Sequence, residues 1–329
     1  NSKRLSSYEK KKYVSKVLYI YMLGYDCGFG HIQAVNLCAA NTFSEKRIGY
    51  LGCSLLLNCR SEILRLLINV LKNDLGSSDE HVQALALNCV ANIGGREFTE
   101  NVYSDVQKLM DANSGYSTFV RRKAIVCFLR LYRSDPRIVV SEEWVPRIQD
   151  LLRDKDAGVL LSACGLLIGV LEQQSAEYWV DILPIAIHAF SGLVAGECMA
   201  RHYYYHVAAP WTQVKMLRLF QFFQPDLYGA DVLEKLTDVV NRIVNRPAVH
   251  IPPAVLGKKR SKMDAEKLNR SNAEHSVLME ALNLIIHIGT FGTEEVLKSA
   301  SAILGSFVSS KEANIRYLGI EAMARMANV

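Results

Sequence analysis

An apolar residue followed four positions later by a small one recurs along this chain. The phrase first reads Ile48-Gly49-Tyr50-Leu51-Gly52 and returns at Val82 to Ala86, Val120 to Ala124, Val159 to Ala163, Val277 to Ala281 and Ile315 to Gly319. Val214 opens another copy, in which Arg218 stands where the small residue belongs. Four residues make about one helical turn, so the two side chains share a face and the small one lets a neighbouring helix come close. Successive copies start 34, 38, 39, 55, 63 and 38 residues apart. A spacing near 40 with a helix at each copy predicts an all-α fold, a right-handed α-solenoid of HEAT/armadillo-like helical-hairpin repeats. The two long intervals predict inserts: an irregular one over 196–210 and a basic, Pro-containing inter-helix loop over 245–270.

The repeats are expected to form one trunk segment over residues 1–329, since a repeat array grows as a single elongated unit. The chain opens on Asn1 with no signal-peptide pattern and stops in mid-pattern at Val329, so truncation at both ends is expected. Helices are expected over 7–23, 31–41, 44–59, 62–72, 78–93, 99–109, 118–133, 144–152, 158–173, 179–194, 211–223, 233–244, 276–288, 293–308 and 315–327. The longest nearly apolar run, Val159 to Leu171, is too short to span a bilayer and suits a core helix. A net charge of +5 is too small to imply nucleic-acid binding. The eight cysteines form no Cys-x-x-Cys pair and read as small core residues of a reducing compartment.

The densest positive patch lies at the first helix. Ser6 and Glu9 have capping-box spacing, and the helix they start carries Val14, Val17, Leu18, Tyr21 and Met22 on its expected buried face, with Gly24 as its stop. Lys10, Lys11, Lys12 and Lys16 occupy its first turns, Lys3 and Arg4 precede it, and only Glu9 opposes them. Cations at a helix N-terminus oppose the macrodipole, a placement more easily understood where an anion is expected; free N–H groups there would add to phosphate binding. The alternative is a solvated lysine face. At about 1 kcal/mol per cation near an anionic bilayer, the cluster supplies roughly 5 kcal/mol, a dissociation constant of about 0.1–1 mM. Such a contact works only together with others.

Other constellations are weaker. Cys198, His202 and His206 would share a helical face as zinc ligands, but Tyr203-Tyr204-Tyr205 between them suggests a packed insert, and no general base accompanies them. Lys258, Lys259, Arg260 and Lys262 read as a solvated loop and a possible second contact with anionic lipid, with a nuclear-localisation signal as the competing reading. No phosphate-binding loop, His-Glu-x-x-His or Gly-x-Ser-x-Gly occurs. The expectation is a non-enzyme with no cofactor, no metal and no nucleic-acid partner.

Several strings resemble one family. Tyr8-Glu9-Lys10-Lys11-Lys12-Tyr13-Val14-Ser15-Lys16, Met22-Leu23-Gly24-Tyr25-Asp26, Phe29-Gly30-His31, Ala34-Val35-Asn36-Leu37, Glu45-Lys46-Arg47-Ile48-Gly49-Tyr50-Leu51 and Lys72-Asn73-Asp74-Leu75 resemble the large-subunit adaptins. The lysine triplet and Ala209-Pro210-Trp211 with Val214-Lys215-Met216-Leu217-Arg218-Leu219 favour the alpha-adaptin class over the gamma class. The resemblance implies a trunk of a clathrin adaptor heterotetramer in endocytosis, at clathrin-coated pits on the cytoplasmic face of the plasma membrane. Implied partners are a beta-type large, a medium and a small subunit, with clathrin and cargo reached through the complex. It also implies phosphatidylinositol 4,5-bisphosphate binding by Lys10, Lys11, Lys12, Tyr13 and Lys16, with Glu9 as an acid beside the triplet. The competing class is a nuclear-transport-type solenoid, which would show exposed Trp, Asn or acidic residues at one repeat position; Trp144, Trp179 and Trp211 share no register.

Overall fold

The structure is a computed structural model that describes residues 5–246, 262–289 and 294–328. These residues fall into two compact units, Asn1–Val140 and Ser141–Val329. The first holds α1 (Ser7–Met22), α2 (His31–Cys38), α3 (Phe43–Leu56), α4 (Leu64–Leu75), α5 (Glu80–Ile93), α6 (Arg96–Lys108) and α7 (Thr118–Ser134). The second holds α8 (Ser141–Leu152), α9 (Ala157–Leu171), α10 (Leu183–Ala195), α11 (Pro210–Phe220) and α12 (Ala230–Val244), then α13 (Lys262–Ile288), α14 (Glu294–Val308) and α15 (Ala313–Met326).

Each unit is built in two layers. In the first, α1, α3, α5 and α7 pack in succession, while α2, α4 and α6 form the other layer. In the second, α9, α11, α13 and α15 form one layer and α8, α10, α12 and α14 the other. The seven copies named above fall on odd-numbered helices: α3, α5, α7, α9, α11, α13 and α15 carry one each. Their small residues do what the spacing requires. Ala86, Ala124, Ala163 and Ala281 are fully buried. A Cβ on Gly52 would come within 2.9 Å of the Ala34 Cβ, and one on Gly319 within 2.9 Å of the Phe307 Cβ. The tightest approach is at Gly49, where a Cβ would lie 2.4 Å from the backbone nitrogen of Cys38. The fold is therefore all-α with helical-hairpin repeats, as the period indicates.

Arg218, the exception to the phrase, has a physical reason. Its side chain stays largely exposed and its Nε donates to the buried Glu280 of α13 at 2.9 Å, while Gln221 Nε2 donates to the other Glu280 oxygen at 2.9 Å. The α11–α13 seam is closed by a polar clasp at this repeat.

Three expectations need correction. Tyr21 and Met22 are exposed, because the buried side chains of α1 are Val14 and Leu18, further toward its start. Residues 176–182 are a 3-10 segment, and α10 begins at Leu183 with Pro184 in its first turn, the place where a missing N–H costs nothing. Residues 262–270, expected in the basic loop, are helical and open the 27-residue α13. The stretch Ala176–Ala195 is also long and apolar enough to cross a membrane, which the sequence reading overlooked. Here Trp179, Ile182, Leu183, Ala186, Ile187 and Phe190 are buried, and the segment packs against α8, α11 and α12. It is a repeat core.

The 196–210 insert is a short antiparallel ladder between α10 and α11, β1 (Tyr203–Tyr204) with β2 (Val207–Ala208). Tyr205 and His206 turn between them with positive φ.

Candidate functional site

The first turn of α1 is fixed by local chemistry. Ser6 Oγ accepts from the Glu9 backbone N–H at 3.3 Å, and the Glu9 carboxylate accepts from the Ser6 N–H at 2.8 Å and the Ser6 hydroxyl at 2.9 Å. The bonds from the Ser6 backbone and hydroxyl, with Lys12 adding less, hold the Glu9 carboxyl below its usual range. The capping box forms as its spacing predicts and takes part of the donor capacity of this helix end. Glu9 is committed to the cap.

The second anchor is tertiary. Glu45, buried at the start of α3, accepts from the Ser7 hydroxyl and from Thr42 Oγ1 at 2.6 Å. Those two bonds keep its carboxyl low against the opposing effect of burial, and Lys10 and Lys11 lie near enough to favour its charge. Lys11 Nζ donates to Ser44 Oγ at 2.9 Å. Together these bonds clamp the N-terminal turns of α1 and α3 side by side.

An open groove runs between the clamped helices. On α1 it is lined by Tyr8, Lys11, Lys12, Ser15, Lys16 and Tyr19, residues at helical spacing along one face. Ser44, Arg47 and Ile48 of α3 form the opposite wall. Every charged residue of the lining is a cation. Lys16 Nζ also sits 5.8 Å from the centre of the Tyr13 ring, within cation–π range.

Of the expected anion-binding set, the groove brings together Lys11, Lys12 and Lys16. Lys10 and Tyr13 do not line it: Lys10 lies beside Glu45, and Tyr13 supports Lys16 from outside. The sequence reading missed Tyr8, Ser15 and Tyr19, although their spacing from the lysines contains the signal. It also missed Ser44, Arg47 and Ile48, which only the pairing of α1 with α3 delivers. Lys258, Lys259 and Arg260 lie outside the described residues, and Lys262 opens α13.

Cys198, His202 and His206 do not share a helix face. His202 Nε2 lies 3.1 Å from Asp156 Oδ2, and Arg201 pairs with the same carboxylate. Asp156 also caps α9 by accepting from the N–H groups of Gly158 at 2.9 Å and Val159 at 3.1 Å. Burial alone would raise its pKa, but the bonds from His202, Arg201 and the Val159 N–H prevail and lower it. This cluster fastens the β-ladder to the helix. Among the described residues, no group of three His, Cys, Asp or Glu side chains could hold a metal ion. Trp144 and Trp179 are buried and Trp211 is exposed, edge-on to Tyr204 at 4.9 Å, so the tryptophans make no exposed ladder.

Comparison with known proteins gives consistent matches. The adaptin N-terminal region matches residues 1–329. AP-2 complex subunit alpha-1 of Arabidopsis thaliana is 39% identical over 330 residues, which cover 100% of this chain and 31% of that protein. AP-2 complex subunit alpha-2 of Dictyostelium discoideum is 37% identical over 331 residues, again 100% and 31%. The chain thus spans about a third of the length of these relatives. Among structures, a homology model of the full-length AP-3 complex in an intermediate open conformation aligns with a TM-score of 0.60 and 19% identity, over 97% of this chain and 55% of that one. At that identity the likeness bears on the fold alone.

Proposed function

Because this chain belongs to the adaptin family through its N-terminal region, we propose that it serves as the trunk of an alpha-type large subunit in a clathrin adaptor heterotetramer. In this reading residues 1–329 act as one trunk segment in endocytosis and vesicle-mediated protein transport. It assembles with a beta-type large, a medium and a small subunit, and reaches clathrin and cargo through them. It works as a scaffold, without catalysis, at clathrin-coated pits on the cytoplasmic face of the plasma membrane. The high identity to AP-2 alpha subunits over the whole chain supports the assembly part of the reading.

The membrane contact is the α1–α3 groove, and the phosphoinositide headgroup is its ligand. The observation that carries this is the convergence of Lys11, Lys12 and Lys16 on one open groove with no acidic residue in its lining. Each cation near an anionic surface contributes on the order of 1 kcal/mol, so the site binds weakly and acts with other contacts of the complex. Lys10 strengthens the surrounding field, and Tyr13 steadies Lys16. Lys258, Lys259, Arg260 and Lys262 provide a second, weaker contact with the same surface.

Vesicle co-sedimentation tests the reading, with and without phosphatidylinositol 4,5-bisphosphate and at two salt concentrations. Binding that requires the lipid, weakens with salt and disappears in a Lys10, Lys11, Lys12→Ala variant is expected. Equal binding by both proteins would move the contact away from α1.

A further inference from the structure

Arg47 is the one groove cation that α1 does not supply. It is exposed, lines the wall opposite the lysines, and makes no ion pair among the described residues. The lysines are differently placed. Lys11 is tied to Ser44 and feels Glu45, and Lys12 lies near Glu9. Lys16 is drawn over the Tyr13 ring. Lys16 on α1 and Arg47 on α3, neither of them in an ion pair among the described residues, thus line the groove from two helices.

We infer that Arg47 is the specificity-determining residue of this groove, holding a second phosphate across from the lysine wall so that the site selects a ring bearing two or more phosphates over a singly charged headgroup. The inference rests on the anionic-lipid reading above. Arg47 and the lysines project into the groove from two different helices, so a ligand with more than one phosphate can offer a separate phosphate to each wall. Phosphates on neighbouring carbons of a cyclitol ring project to both sides and can meet both walls. Chemistry separates the walls further. Lysine ammoniums act as point charges that accept any nearby anion, whereas a guanidinium presents a planar fork that matches a phosphate with two parallel hydrogen bonds. A lipid phosphodiester carries one negative charge, whereas a ring phosphate monoester carries nearly two and holds the fork more strongly. A phosphorylated ring, on a lipid or free in solution, uses both walls.

The closing experiment measures binding of wild-type, Arg47→Ala, Arg47→Lys and Lys11, Lys12, Lys16→Ala proteins. The probes are phosphatidylinositol 4,5-bisphosphate vesicles, phosphatidylserine vesicles of equal surface charge, and soluble inositol 1,4,5-trisphosphate. Arg47 is exposed, so unchanged thermal melting of its variants is expected and is checked first. The expected result is a loss of about tenfold for the bisphosphate vesicles in Arg47→Ala, with phosphatidylserine binding changed less than twofold. Arg47→Lys should recover only part of the preference. The soluble trisphosphate should follow the bisphosphate vesicles if the ring is read directly. Equal losses on both kinds of vesicle would make Arg47 an ordinary surface charge and overturn its selective role. An unchanged Arg47→Ala protein beside a non-binding lysine variant would overturn the role of Arg47 and leave the lysine groove standing. Failure of the wild type to bind any probe would remove the groove reading and this inference with it.

Discussion

Lys46 Nζ lies 2.7 Å from Asp74 Oδ2, and this ion pair fastens α3 to α4. The same ammonium donates to the Cys38 carbonyl of α2 at 2.8 Å, and the Tyr50 hydroxyl donates to Asp74 at 2.6 Å, so three helices meet at one ion pair. Burial and the adjacent Asp74 push the Tyr50 hydroxyl pKa up, which keeps it a donor at any physiological pH. Two strings that mark the resemblance to adaptins, around Lys46 and around Asp74, are therefore one piece of structure.

Breaking this node from one side should be costly. Both side chains are largely buried, so Asp74→Ala leaves a desolvated ammonium and an unpaired tyrosine hydroxyl, a loss of about 3–5 kcal/mol. Replacing both partners with apolar residues, Lys46→Met with Asp74→Leu, should cost clearly less. Denaturant titration of the three proteins measures this.

Two glycines should respond in opposite directions to alanine. At Gly49 the new Cβ would lie 2.4 Å from Cys38 N, 2.7 Å from the Leu37 carbonyl carbon and 2.9 Å from the Ala34 oxygen, all backbone atoms that cannot rotate away. Gly49→Ala should destabilise by about 1–3 kcal/mol by forcing α2 and α3 apart. Gly305 sits inside α14 with nothing within 4 Å of an added Cβ. Gly305→Ala should stabilise by about 0.5–1 kcal/mol through helix propensity alone. Thermal melts of both variants decide the matter.

Acid should weaken the second unit through His275. Its ring lies edge-on to Phe307 at 5.6 Å, and burial lowers its pKa against a smaller opposing pull from Glu274. A base with a depressed folded pKa binds fewer protons folded than unfolded, so stability falls as pH drops below the ordinary histidine value of about 6.5 and levels off once the folded ring titrates. A His275→Phe variant should lose that part of the pH dependence, as measured by denaturant midpoints between pH 7.5 and pH 5.

The thiols should separate into two classes. Cys59 is exposed and Cys198 half-exposed, whereas Cys27, Cys38, Cys53, Cys89, Cys127 and Cys164 are buried. Burial pushes the Cys164 thiol up to about 12 and keeps it un-ionised at neutral pH. Alkylation of native protein followed by mass spectrometry should label Cys59 first and Cys198 more slowly. The remaining six should react only after unfolding.

Features that depend on local spacing were readable in the sequence. The Ser6–Glu9 box, the paired glycines at Gly94 and Gly95 that separate α5 from α6, and the small residues of the repeat phrase all follow from chemistry within a few positions. Features that depend on which helix lies alongside which were not. Arg47 is far from the lysines in sequence and meets them where α1 packs beside α3, a pairing that the Ser7–Glu45 bond helps to fix. Tyr21 and Met22 have core spacing, yet α1 packs through Val14 and Leu18 and leaves its C-terminal turn uncovered. Arg218 breaks the repeat phrase because Glu280, on the next helix of its layer, supplies a partner that the phrase itself does not contain.

The most direct test of the groove is a comparison of single lysine variants on vesicles carrying phosphatidylinositol 4,5-bisphosphate. Lys10, Lys12 and Lys16 are all exposed lysines of one helix, but only Lys12 and Lys16 line the groove. Lys12→Ala and Lys16→Ala should each weaken binding about fivefold or more, and Lys10→Ala by distinctly less. Equal losses for all three would contradict a groove and leave only a diffuse positive helix.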